Sequence, residues 1–226
     1  MNAPLFRIVA DHALLVEFGE TISDEAHAEV LKLDHALNEA RFTGFREAIP
    51  AYVNILIDFD PLITDHDSVE AHLRALLLKA DRAQHQPRHH DVSVCYEAPF
   101  SQDLAAVAAQ TGLTEEAVIN AHLAGTYKIY LYGFAPGYAY LAGTPQALQL
   151  PRKPSPVRGV EAGSVIIAGP QCLITTLTMP TGWWVIGRSS IQILTGQPDH
   201  PFLFDVGDQI RFKRVSLAEY ETAKGP

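Results

Sequence analysis

Beyond Tyr127 the chain is broken so often by glycine and proline that it leaves room only for short segments until Gly207. The apolar runs between these breakers, residues 127–132, 164–168, 172–178, 183–187, 191–194 and 209–215, read as strands. Many short strands separated by turn residues predict a barrel or compact β domain. The first part of the chain is patterned differently. Residues 13–18 read as a strand, and Ser23 then caps a helix whose first turn carries Asp24 and Glu25. Ala26, Val30, Leu33 and Leu37 give that helix one apolar face. Residues 45–49 and 52–59 read as strands, and Asp67 with Glu70 predicts a capping box opening a second helix. A small α+β sheet with helices on one face is expected here. Two further helices, residues 101–110 and 114–124, are stopped by Gly112 and Gly125. The expected domains are residues 1–85 and 86–226. Residues 83–90, polar and carrying His85, His89 and His90, are expected to connect them.

A net charge of −9 argues against nonspecific binding to nucleic acid, which needs basic surface to neutralise phosphates. No apolar run approaches the ~18 residues of a membrane span. The first residues show no basic segment followed by an apolar one, so a cytoplasmic address is expected. Cys95 and Cys172 are two distant thiols without metal-ligand spacing, and buried free thiols are expected. The histidine tract lacks the cysteines or carboxylates that would make it a metal site, so no metal ligand is nominated.

The dense region is residues 122–188. Gly133-Phe134-Ala135-Pro136-Gly137-Tyr138 forms a turn in which two glycines permit unusual backbone angles and Pro136 stiffens the bend. Such a bend either cradles a carboxylate or phosphate with its N–H groups or is simply a well-made turn. Pro151 to Arg158 holds Arg152, Lys153 and Arg158 among three prolines, suited to bidentate anion recognition or to a solvated loop. Residues 162–169 lack the Gly-Lys-Ser/Thr ending of a P-loop. His122 suits acid–base work at neutral pH, or packing as a hydrogen-bonded histidine. Arg188 follows a strand at a glycine and suits anion binding or, alternatively, a surface salt bridge. Gln171 can orient an amide through a paired donor and acceptor. Trp183 and Trp184 must face opposite ways on a strand, and Tyr138 and Tyr140 the same way. Asp208 reads as structural. The expectation is that Arg152, Arg158 and Arg188 share one cavity near the Gly133–Gly137 bend.

In order, these motifs are Gly-Phe-x-Pro-Gly-Tyr-x-Tyr-Leu, Leu-Pro-Arg, Ala-Gly-Ser-Val-x-Ile-Ala-Gly-x-Gln, Pro-x-Gly-Trp-x-x-Ile-Gly-Arg and Pro-Phe-Leu-Phe-x-x-Gly-Asp-x-Ile-Arg-Phe. The series resembles the carboxyltransferase domain subdomain 1 family, formerly described as allophanate hydrolase subunit 1. Its members include the B-type subunit of 5-oxoprolinase, a Kip-type inhibitor of a histidine kinase, and a domain of urea carboxylase. The resemblance implies a small α+β domain followed by a cyclophilin-like β barrel. It implies an ATP-hydrolysing amidohydrolase, with Mg accompanying the nucleotide, that opens 5-oxoproline to glutamate. Its implied partners are a second carboxyltransferase-type chain, like the C-type component of 5-oxoprolinase, and a lactam-utilisation chain like its A-type component. Catalytic roles would fall to His122 and Arg188. Substrate binding would fall to Gly133, Phe134, Pro136, Gly137, Tyr138, Arg152, Arg158, Gln171 and Trp183. Departures from the pattern cluster at Val157 and Gly159, where the family has arginines, and at residues 172–176. A divergent member is therefore implied. A carboxyltransferase acting on a urea-like compound and a kinase-inhibiting binding module remain as the other readings.

Overall fold

The computed structural model describes residues 3–79, 87–198 and 200–224. The chain forms two compact units, Met1–Gln86 and Pro87–Pro226. The first is built from β1 (Leu5–Val9), β2 (Ala13–Glu17), α1 (Asp24–Glu39), β3 (Phe45–Pro50), β4 (Asn54–Phe59) and α2 (His66–Lys79). Its sheet runs β1-β2-β4-β3 with antiparallel neighbours. β2 and β3 are therefore parallel with β4 between them, a split β–α–β unit that needs a helical crossover on one face. Leu14, Val16, Ile55, Ile57 and Phe59 meet Val30, Leu33, Leu37, Val69 and Leu73 in one core. Ser23 caps α1 as its sequence predicts, accepting from the Ala26 N–H at 3.1 Å.

The second helix corrects its expected cap. Asp65, not Asp67, accepts the Ser68 N–H at 2.8 Å, while Glu70 turns away to pair with Arg74 one helical turn on. β1 is an addition to the expected order. It is an edge strand whose Leu5, Ile8 and Val9 are exposed, so it lacks the alternation that marks a half-buried strand.

The second unit contains β5 (His89–Cys95), α3 (Leu104–Thr111), α4 (Glu115–Ala124), β6 (Tyr127–Tyr132), β7 (Ala139–Ala142), β8 (Val157–Val160) and β9 (Ser164–Ala168). It continues with β10 (Gln171–Ile174), β11 (Met179–Thr181), β12 (Trp184–Arg188), β13 (Leu194–Gln197), β14 (His200–Phe202), β15 (Gln209–Val215) and α5 (Leu217–Lys224). Seven strands close a barrel in the order β10-β7-β6-β15-β5-β12-β9. The expected strand at residues 191–194 is displaced: Leu194 instead begins β13, which pairs with β14.

His89 and His90 are strand residues, not connector. His85 lies outside the described residues, as does the expected boundary at 85/86. His90 Nε2 meets Asp208 Oδ2 at 2.8 Å, and the same carboxylate accepts the Arg88 and Asp205 N–H groups, each at 2.9 Å. Asp208 thus fastens the start of β5 to the start of β15, where the two run parallel. No helix among the described residues is long and apolar enough to cross a membrane.

Inside and outside of the barrel follow from strand alternation. Val165 and Ile167, Cys172 and Ile174, and Trp184 and Ile186 join the interior core with Leu104, Val107, Val118 and Ile119 of α3 and α4. Ile166, Ala168, Leu173 and Val185 form a second cluster with Tyr138, Val160 and Trp183. β9 and β12 are buried along their whole length because both faces are covered. The outer cover is the β8–β11 ribbon, through Val160 and Met179, together with the bend between β6 and β7.

Candidate functional site

The outer face of β7, β9, β10 and β12 gathers most of the residues singled out in the sequence. The bend is tightly self-bonded. Gly133 N–H donates to Tyr138 O, Ala135 N–H to Gly133 O, and Tyr138 N–H to Ala135 O, at 2.9–3.3 Å. Those three N–H groups are spent inside the turn, which favours the well-made turn over the anion cradle. Gly137 takes φ +74, and a Cβ there would stand 2.8 Å from Leu194 Cδ2. Phe134 also takes a left-handed φ, +70, although it is aromatic and 77% exposed. A bulky residue in that region costs about 1–2 kcal/mol, and such strain concentrates at functional sites. Thr176 Oγ1 donates to Pro136 O at 2.6 Å and anchors the bend to the segment after β10.

Behind the bend lies an aromatic platform. Tyr138 and Tyr140 lie on the same side, and the Tyr140 ring meets Trp183 edge-on at 6.0 Å. Burial pushes the Tyr138 phenol up to about 12, so it is a neutral hydrogen-bond donor at physiological pH. The two tryptophans part as alternation requires: Trp183 enters the outer cluster and Trp184 the interior core. Arg152 is exposed, and its guanidinium carbon stands 5.7 Å from the Trp183 ring centroid. Gln171 shares β10 with Leu173, pairing with Ala142 on one side and Ala168 on the other, and so faces outward. Arg158 is exposed on β8.

The segment bearing Arg152 is firmly held. Pro151 O accepts from Trp184 Nε1 at 2.8 Å, and Lys153 N–H donates to Gly182 O at 2.7 Å. Lys153 Nζ meets Asp103 Oδ2 at 2.5 Å. The solvated-loop reading therefore does not describe Pro151–Lys153. The sequence reading places Lys153 in a candidate anion-binding loop, not in an ion pair, and gives Asp103 no role in the site. With the helix expected at residues 101–110, Asp103 reads only as an acidic residue of its first turn, which carries no signal of a site.

Two nominated residues lie elsewhere. His122 is fully buried among Tyr96, Tyr127 and Phe212. Its Nδ1 is 2.7 Å from Tyr96 Oη and its Nε2 3.6 Å from Cys172 Sγ. A neutral ring donates to one of these partners and accepts from the other. Burial lowers its pKa to about 3 and raises that of the Cys172 thiol. An acid–base role at neutral pH needs a solvent or substrate path that this enclosed ring lacks.

Arg188 pairs with Glu161 at 2.6 Å and stacks 4.8 Å from the Phe100 centroid. Trp183 immediately precedes β12 and Arg188 ends it, a separation of up to roughly 16 Å at about 3.3 Å per extended residue. Arg152, beside Trp183, and Arg188 therefore stand toward opposite ends of β12 and do not share one cluster. A cavity of about 520 Å³ opens between the starts of β5 and β15 and the end of α4. It contains none of the nominated residues, and Arg211, which lines it, already pairs with Asp91. The outer face, where strained backbone, aromatics and an exposed arginine coincide, is the better candidate.

The family described as carboxyltransferase domain, subdomain C and D, matches residues 4–204. The chain is 32% identical to the 5-oxoprolinase B subunit of Bacillus subtilis (strain 168), across 96% of this chain and 95% of that one. It is 31% identical to the protein of the same name from Escherichia coli O157:H7, across 91% and 93%. Among solved structures it superposes on TTHA0988 with a TM-score of 0.82 at 34% identity. That match covers 91% of this chain but only 40% of TTHA0988.

Proposed function

This chain belongs to the carboxyltransferase domain, subdomain C and D, family, and from that premise we propose that it is the B-type subunit of an ATP-dependent 5-oxoprolinase. On this reading it acts in the cytoplasm on a small cyclic amide, in a complex with C-type and A-type partner chains, and its barrel is of the cyclophilin-like kind. Support comes from the relatives, each named as one subunit. The observation that carries the site assignment is the exposed Arg152 guanidinium laid against Trp183 beside the strained bend.

5-Oxoproline carries a carboxylate and a lactam. A planar guanidinium 5.7 Å from an indole centroid has a cation–π partner and keeps its fork of donors for bidentate pairing with a carboxylate. The half-buried Tyr140 ring, backed by the buried Tyr138 and Trp183, then offers a low-dielectric wall on one side of the substrate ring. Gln171 is the group on this face suited to the lactam N–H and C=O. Arg158 belongs to the rim. Opening an amide requires a more electrophilic carbonyl, and ATP supplies that activation in such an enzyme.

We nominate no nucleotide–magnesium site on this chain. The sequence has no P-loop, and among the described residues no group of three or more His, Cys, Asp or Glu can hold a metal ion. We therefore assign nucleotide binding to a partner chain and derive no step from it. We assign His122 and Arg188 to holding the barrel core and the Glu161 turn, not to proton transfer.

Reconstitution tests the proposal. The three chains together should release phosphate and glutamate from ATP and 5-oxoproline, and this chain alone should release neither. Phosphate release with a urea-like compound but not 5-oxoproline would redirect the assignment to carboxyl-transfer chemistry.

A further inference from the structure

Asp103 occupies the N-cap position of α3, where an aspartate ordinarily accepts an N–H of the first helical turn. Here it makes no side-chain cap bond. Its Oδ2 instead accepts from Lys153 Nζ at 2.5 Å and from the Val185 N–H at 2.7 Å, while the Asp103 N–H donates to Val185 O at 2.9 Å. A residue that forgoes the local bond its position favours does so for something else, and such departures from local preference gather at functional sites. The geometry shows what is gained. Lys153 is only 9% exposed at its side chain and lies 5.6 Å from the Trp184 centroid. Its backbone is fixed to Gly182, and its neighbour Pro151 is fixed by the Trp184 indole. Arg152 stands between these two fixed residues, against Trp183.

We infer that Asp103 and Lys153 are positioning residues of this site. Their ion pair bolts the Pro151–Lys153 segment to β12, so that the Arg152 guanidinium is presented over Trp183 in one orientation. The inference rests on the site proposed above. The Lys153 and Asp103 side chains are largely covered and bonded to each other, so their part is to hold Arg152. A bolt of this kind lowers the entropy lost when Arg152 pairs with a ligand, and it should be read in KM rather than kcat.

The test uses the reconstituted complex and three variants. Asp103→Asn keeps an acceptor for the Val185 N–H but removes the charge. Lys153→Met keeps the stem against Trp184 but removes the ammonium. Lys153→Arg restores the pair. The first two should raise KM for 5-oxoproline about tenfold with kcat within about twofold, and Lys153→Arg should recover most of the loss. In an Arg152→Ala background, Asp103→Asn should add nothing further, because the two act as one unit.

A second readout needs no activity. Trp183 and Trp184 are the only tryptophans, and they lie under Arg152 and Lys153. Acrylamide quenching of their emission should increase in Asp103→Asn and Lys153→Met, with the thermal midpoint held within a few degrees. Unchanged quenching in both variants overturns the bolt, whatever the kinetics. Increased quenching with kcat falling and KM unmoved also overturns it as a positioning device. If Arg152→Ala itself leaves KM unchanged, the site assignment fails, and the bolt is then decided by the quenching alone.

Discussion

Lowering the pH from 6 to 4 can protonate His122 only if the barrel opens around it. In the folded chain burial holds the imidazole at about 3, whereas an unfolded histidine titrates near ~6.5. Between those values the unfolded chain binds a proton that the folded chain does not. Stability from this residue is therefore complete above about pH 6.5 and is lost as pH falls toward 3. Integrating the two titrations gives a loss of about 2.5 kcal/mol between pH 6 and pH 4, a large part of a normal domain's stability. Carboxylates with lowered pKa, such as Asp208, lose stability in the same direction, so the comparison must cancel them. Urea unfolding followed by the barrel tryptophans at pH 4, 5, 6 and 7 does this when wild type is set beside His122→Gln. The variant should start less stable, having lost a core contact, but its pH slope should be shallower by nearly one proton, about 1.4 kcal/mol per pH unit near pH 5. Equal slopes would refute the reasoning, since His122 would then already be charged or solvated in the native barrel.

Glycine positions offer a matched pair. A Cβ at Gly143, φ +120, would stand 2.0 Å from the Thr126 carbonyl oxygen, so Gly143→Ala should cost about 3 kcal/mol or more of barrel stability. Gly169, φ +53, has open space where a Cβ would go, and Gly169→Ala should cost only about 1–2 kcal/mol in denaturant titrations. Phe134→Gly removes an exposed ring from a left-handed backbone and should raise the thermal midpoint by about 2–4 °C, while weakening assembly or substrate binding. A lowered midpoint would mean that the ring packs better than its exposure suggests.

Most of the fold is legible in the sequence because its signals are local and reinforced by burial. Ser23 caps α1 as its position predicts, and β4 alternates as expected, with Ile55, Ile57 and Phe59 inward. The closed barrel follows from short runs between breakers, and β9 and β12 read as continuous apolar segments because both their faces are covered. The failures share a cause: each depends on what lies across space. The edge strand β1 has too few buried neighbours to leave a pattern. His90 reads as connector because its partner, Asp208, is 118 residues away. Asp65 and Asp67 are equivalent as sequence, and only the turn geometry selects one of them as the cap. Within the candidate site, the bend, the tyrosines and the opposed tryptophans are readable from spacing. The separation of Arg152 from Arg188 is not, because it depends on where along β12 each one docks. Asp103 is the least legible of all, since the sequence places it in the first turn of an expected helix, whereas the structure puts it at the N-cap position and uses it as a clasp.

The assignment of the outer barrel face as the substrate site is tested most directly by replacing Arg152 in the reconstituted complex and measuring glutamate release against 5-oxoproline concentration. Arg152→Ala should raise KM roughly 10- to 100-fold, and Arg152→Lys should recover little, because an ammonium neither stacks on the Trp183 indole nor pairs bidentately. A KM that is unmoved in both variants, from complexes that assemble normally, would contradict the assignment and send the search for the site elsewhere on the barrel.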